Sequence, residues 1–189
     1  MKKILFQIII AGLFLFTFSG CDELLNKFGV TFNSDYSEID FTVNPDVAGT
    51  YSEVLEVIDS DLDSLIKAEG QNIGELNSVK IKDASIQVLG VGDVDEFGEF
   101  VFTGDGNLDP FESFVLSIEA PGKSKVTIAE VTVVPTGITE MPLTKEEKDL
   151  TEYLKSDHYT ITVKTVLDQD LKMHMRMRAK VRYEIKVGL

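Results

Sequence analysis

From Leu171 to Val187 the odd positions read Leu, Met, Met, Met, Ala, Val, Tyr, Ile, Val, while the even positions carry Lys172, His174, Arg176, Arg178, Lys180, Arg182, Glu184 and Lys186. Successive side chains of an extended strand point to opposite faces, so this period of two reads as one long, half-buried strand. Drawn straight it would reach ~55 Å, so a bend, a bulge or a change of pairing partner is expected along it. Just before it, Tyr159, Ile161, Val163 and Thr165 share a face opposite Thr160, Thr162 and Lys164. Both apolar faces belong in one core, which demands odd-to-odd pairing if the two strands are neighbours. A three-residue turn Asp168-Gln169-Asp170 satisfies this. It predicts a hairpin with Leu167 facing Leu171, Val163 facing Met175 and Ile161 facing Met177. The same register sets His174 opposite Lys164 and His158 opposite Lys180.

The rest of the chain repeats the theme in shorter pieces. Ile39, Phe41 and Val43 alternate with Glu38, Asp40 and Thr42, and Asn44-Pro45-Asp46 ends that run. Tyr51 to Ile58 is a second strand candidate. Ser60 is placed to cap a short helix that buries Leu62, Leu65 and Ile66 and stops at Gly70. Val79, Ile81, Ile86 and Val88 mark strand material. Residues 90–110 are rich in glycine and read as turns around a short strand at Phe100–Phe102. Phe114, Leu116 and Ile118, a turn at 120–123, and Val126 to Val134 suggest a hairpin. Thr144-Lys145-Glu146-Glu147 has the form of a capping box before Leu150, Tyr153 and Leu154. About eight strands and two short helices, with turn signals at short intervals, predict an all-β fold, an antiparallel β-sandwich. It is expected as a single domain over 36–189.

The amino-terminal segment is of another kind. Lys2 and Lys3 precede the run from Ile4 to Phe18, interrupted only by Gln7 and Thr17 among polar residues. As a helix that run is ~22 Å long, short of a ~30 Å hydrocarbon core, so it reads as a secretory signal rather than a membrane span. Ser19-Gly20-Cys21 closes it and resembles the lipobox of bacterial lipoproteins, with Phe18 where Leu or Val is usual. The resemblance covers the first twenty-one residues. It implies cleavage before Cys21, diacylglycerol on its thiol, usually an acyl chain on the new amine, and anchorage in the cell envelope, most readily the outer membrane. Cys21 is the only cysteine in the chain, so no internal disulfide competes for it. Two or three acyl chains at ~0.8 kcal/mol per buried methylene hold such an anchor effectively permanently. Residues 21–35 are then expected as anchor and tether. Asp22-Glu23 either resembles a surface-export signal or merely solvates the tether.

Charge limits the partners. Lys2 and Lys3 fall in the leader, leaving 16 basic against 32 acidic residues beyond it, a formal −16. Nucleic acid and anionic lipid are disfavoured by that sign. Within this acidic chain, Arg176, Arg178, Lys180 and Arg182 form a basic stripe that offers two readings. The stripe either grips an anionic ligand such as a sulfated or uronic glycan, or is neutralised by acids on a neighbouring strand, Glu38 and Asp40 for example. Asp105, Asn107 and Asp109, within the acidic stretch 93–109, have the spacing that opens a calcium loop. Pro110 and Leu116 stand where that loop needs glycine and a bidentate acid. No other metal and no cofactor is suggested. The chain lacks a nucleophile elbow, a phosphate loop and a dinucleotide fingerprint. The leading expectation is a membrane-anchored, non-catalytic module that binds a ligand, an envelope protein or a glycan. A structural subunit of an envelope or fimbria-like assembly comes second, and a carboxylate-dependent hydrolase third.

Overall fold

The alternating segments form strands throughout, and the strands assemble into two antiparallel sheets whose apolar faces meet. The computed structural model describes residues 29–188, so the leader, Cys21 and the first part of the expected tether lie outside the described residues. The first sheet is built on two long central strands, β4 (Leu76–Val94) and β11 (His174–Val187). Along one edge of β11 lie β1 (Val30–Asn33) and β2 (Ser37–Val43), end to end. Along the free edge of β4 lie β5 (Phe100–Gly104) and β8 (Glu140–Pro142). The second sheet runs β3 (Tyr51–Asp59), β10 (His158–Leu167), β6 (Phe111–Ala120), β7 (Lys123–Val131), β9 (Thr144–Lys145). Helix α1 (Leu62–Ala68) buries Leu62 and Ile66, and α2 (Thr151–Leu154) buries Leu154. Phe41, Ile86, Met177 and Ile185 from the first sheet share one core with Phe114, Leu116, Ile118 and Ile161 from the second. This is the antiparallel β-sandwich with two short helices that the alternation predicts. No helix among the described residues is long and apolar enough to cross a membrane.

Strand β11 keeps its odd face buried from Met175 to Val187 without interruption, and β4 absorbs the expected irregularity. Arg182 pairs with Asp83 while Tyr183 pairs with Ile81, leaving Lys82 as an extra residue. A bulge of one residue flips every side chain beyond it. Hence β4 buries Val79 and Ile81 before the bulge but Ala84, Ile86 and Val88 after it.

Several expectations need correction. Strands β10 and β11 do not form a hairpin. They lie in opposite sheets, with His158 beside Asp59 and His174 beside Gly92. Parity is satisfied just as well when two inward faces meet across the core, and residues 168–173 cross between the sheets with Leu171 bridged to Asp46. Met173, in that crossing, is half-buried rather than core. Thr144 and Lys145 cap no helix. They pair with Glu130 and Ala129, because Leu143 beside them is buried. Ser60 does not cap α1 either, its hydroxyl donating instead to the Leu154 carbonyl. The tether ends earlier than expected, since Val30–Asn33 is already paired with β11. Strand β7 stops at Val131, and Val133 beyond it is exposed.

Candidate functional site

The even residues of β11 all face outward from the first sheet, and Arg176, Arg178, Lys180 and Arg182 each lie beside an acid. Arg178 holds Asp40 with two bonds, Nε to Oδ1 at 2.5 Å and Nη2 to Oδ2 at 3.0 Å. Its third nitrogen reaches Glu38 at 2.5 Å. Lys180 pairs with Glu140 at 3.2 Å and Arg182 with Asp83. Arg182 also lies over the Tyr36 ring, 4.9 Å from its centroid. The register explains the match: β2 sets Asp40 opposite Arg178 and Glu38 opposite Lys180, and β4 sets Asp83 opposite Arg182. The hydrogen bond from Arg178 holds the Asp40 carboxyl below its ordinary value, against a smaller opposing effect of burial. Arg176 is the least committed of the four. It donates to the Thr42 hydroxyl at 3.1 Å and lies 3.9 Å from Asp40, whose two oxygens are already taken by Arg178.

Of the acidic loop residues, Asp95 and Asp109 are occupied locally. Asp109 accepts from the Gly137 N–H and from the Asn107 amide, and Asn107 in turn accepts from the Asp109 N–H. Asp95 accepts from the N–H groups of Phe97 and Glu99 and so shapes the turn after β4. Among the described residues, no three His, Cys, Asp or Glu side chains converge as metal ligands. With β10 and β11 in different sheets, the two histidines belong to opposite faces of the sandwich.

A small cavity of about 100 Å³ opens where the two sheets meet α1, lined in part by Ser34, Ser37, Asp61, Tyr159 and Tyr183. Burial raises the Tyr183 phenol well above its ordinary value, and burial likewise raises Tyr159. Both therefore stay protonated at neutral pH. The space suits a few water molecules at ~30 Å³ each.

A different surface carries Phe97, Phe100 and Phe102. Strand β5 returns along the far end of β4, and Phe100 and Phe102 face outward there with rings 4.8 Å apart, edge to face. Their seats are glycines. A Cβ at Gly90 would lie 2.7 Å from the Phe102 ring, and one at Gly92 would strike the Val101 carbonyl and the Phe100 ring. Gly90 also has φ +153°, a conformation that side chains disfavour. Directly opposite partners in an antiparallel pair share a face, so Gly90 adjoins Arg176 and Gly92 adjoins His174. The His174 ring meets the Asn44 side-chain oxygen at 3.1 Å. Two rows thus cross the outer face: Thr42, Arg176 and Gly90 with the Phe102 ring over it, and then Asn44, His174 and Gly92 with the Phe100 ring against it. Phe102 is 58% exposed, Val101 48%, and Phe97 in the adjoining turn 80%. The short strand expected at Phe100–Phe102 is β5, but its aromatic outer face is not among the expectations for 90–110. The available signal was two glycines two apart in a strand, followed by two phenylalanines at the same spacing.

No protein-family model matches the chain. No curated protein matches it in sequence. Among solved structures, one similar chain comes from Desmodium yellow mottle tymovirus, 7% identical, covering 82% of this chain and 88% of that one with a TM-score of 0.21. A likeness that slight carries no argument about what the chain does.

Proposed function

We propose that the chain is an exported lipoprotein, anchored through lipid on Cys21 in the cell envelope, whose folded domain binds a ligand or partner rather than catalysing a reaction. The order Lys2-Lys3, apolar run, Ser19-Gly20-Cys21 supports the anchor. The observation that carries the binding role is the position of the exposed aromatic group. Val30 pairs with Val187, which pairs with Leu76, so the chain enters the first sheet at the start of β4. Phe97, Val101 and Phe102 lie at the other end of the same strand. Eighteen steps along β4 amount to as much as ~60 Å, less the shortening by its bulges. A module tethered at one end thus presents an exposed aromatic group at the other. Large exposed apolar side chains clustered together, unlike single scattered ones, mark interaction surfaces.

Two measurements test this. Mass spectrometry of the mature amino terminus is expected to find acylated Cys21, and an unmodified terminus elsewhere overturns the anchor. The protein isolated from native envelopes is expected to carry envelope material that a Phe97→Asp, Phe102→Asp variant loses. Equal recovery by both forms overturns the binding surface.

A further inference from the structure

We propose that the outer face of the first sheet, at its β5 end, is a binding site for a neutral pyranose glycan. The inference rests on the binding-module reading above and names the ligand class.

A pyranose offers an apolar face of C–H groups and a rim of hydroxyls. The site has the matching halves. Phe100 and Phe102 form the apolar half, with Phe102 more than half exposed. Thr42, Asn44, His174 and Arg176 form the polar half on the far side of the glycine pair. The halves meet directly: Gly90 and Gly92 carry no side chain, so the Phe102 and Phe100 rings lie down over them beside Arg176 and His174. Strands stand ~4.8 Å apart and same-face residues ~7 Å apart along each strand, so the two rings and the polar side chains beside them together span about the extent of a disaccharide. Few polar groups converging on an apolar platform is the ordinary make-up of a small-ligand site. Hydroxyl, amide, imidazole and guanidinium groups between them donate and accept, as sugar hydroxyls require.

Charge separates a neutral glycan from the alternatives. Of the outward cations on β11, Arg178 holds Glu38 and Asp40, Lys180 holds Glu140 and Arg182 holds Asp83. Little of the stripe's charge is left for a polyanion, and the domain as a whole is strongly acidic. Arg176 stays available for uncharged hydroxyls because Arg178 occupies its acidic neighbour. The adjoining turn carries Asp95, Glu96 and Glu99, which disfavours an anionic bilayer at the same place.

The test uses the full-length protein purified in a neutral detergent and beads bearing dextran, mannan, galactan or xylan, with hyaluronan and heparin beads beside them. Retention on at least one neutral matrix is expected, with elution by the matching soluble oligosaccharide. Phe102→Ala and Arg176→Gln should each weaken it tenfold or more, while Arg182→Gln stays within twofold. Thermal melting of each variant separates lost contact from lost fold. No retention on any neutral matrix, retention on hyaluronan or heparin alone, or wild-type binding by Phe102→Ala overturns the proposal. If the neutral matrices fail while Phe102-dependent capture of envelope protein persists, the glycan inference falls and the binding-module reading stands. If both fail, both fall.

Discussion

Thr165 shows how a single side chain on the buried face of β10 can be improved. It lies between Val163 and Leu167 at 1% exposure, and its hydroxyl has no hydrogen-bond partner. An unpaired buried hydroxyl costs ~1–3 kcal/mol, whereas a valine of the same shape has nothing to satisfy. Thr165→Val is therefore expected to raise the urea midpoint, by up to ~1 kcal/mol, and a clear loss of stability would refute the account. Asp149 is the opposite case. Burial alone would raise its carboxyl, but the hydroxyl and N–H of Thr151 and the N–H of Val79 donate to it and bring it below its ordinary value. Asp40 is lowered as well, chiefly by Arg178. A folded-state value below the unfolded one contributes stability that is complete above the unfolded value and lost as pH falls through the folded one. Denaturant midpoints should therefore drop from about pH 5 downward, and Asp40→Asn and Asp149→Asn should each flatten that limb. An unchanged pH profile in both variants would count against these bonds. Glu38 and Asp40 were legible beforehand as acids able to neutralise the stripe, because strand periodicity gave their face. Asp149 was not, because its partners Thr151 and Val79 meet only through tertiary contact.

At the scale of elements, alternation gave the faces of strands but not their sheets. The inward parity of β10 and β11 is the same whether they are neighbours or face each other across the core. What separates the cases is the reach of residues 168–173 and the bridge from Leu171 to Asp46, a long-range contact. The parity switch in β4 was legible in Val79 and Ile81 against Ile86 and Val88, and it locates the bulge. The stretch 144–147 has the form of a capping box but caps nothing, because the backbone before α2 serves the sheets. Thr139, Leu143 and Leu150 bond in turn to Val88, Ala84 and Val79, and this row closes one side of the sandwich. The other side ends in β3, which pairs only with β10 among the described strands. Leu55 and Val57 are exposed on its outer face, and Glu56 stands exposed opposite buried Ile161. A charge on the inward side of an edge strand discourages strand addition. Glu56→Val is expected to give concentration-dependent dimers or larger species in gel filtration. A strictly monomeric variant would show that the edge is protected by other means.

At the scale of the whole molecule, the basic stripe and the net charge make one electrostatic argument. Arg176, Arg178 and Lys180 recur ~7 Å apart along β11, a spacing that a polyanion would recognise if the cations were free. Arg178 and Lys180 are held by Glu38, Asp40 and Glu140, Arg176 lies 3.9 Å from Asp40, and the chain beyond residue 20 carries −16. Exposed ion pairs contribute little stability, ~0.2–1 kcal/mol each, so their larger effect is on which ligands approach. The protein in neutral detergent should therefore pass through heparin resin even at low salt. Replacing the three acids with amides, as Glu38→Gln, Asp40→Asn and Glu140→Gln, takes the formal charge only to −13, far from positive. If pairing is what hides the stripe, this small change should create retention, and salt should weaken it steeply as counterions are released. If net charge alone repels the resin, the triple variant should still flow through. If the native protein is retained, the stripe is the ligand site, and the neutral-glycan assignment on the adjoining face loses its electrostatic support.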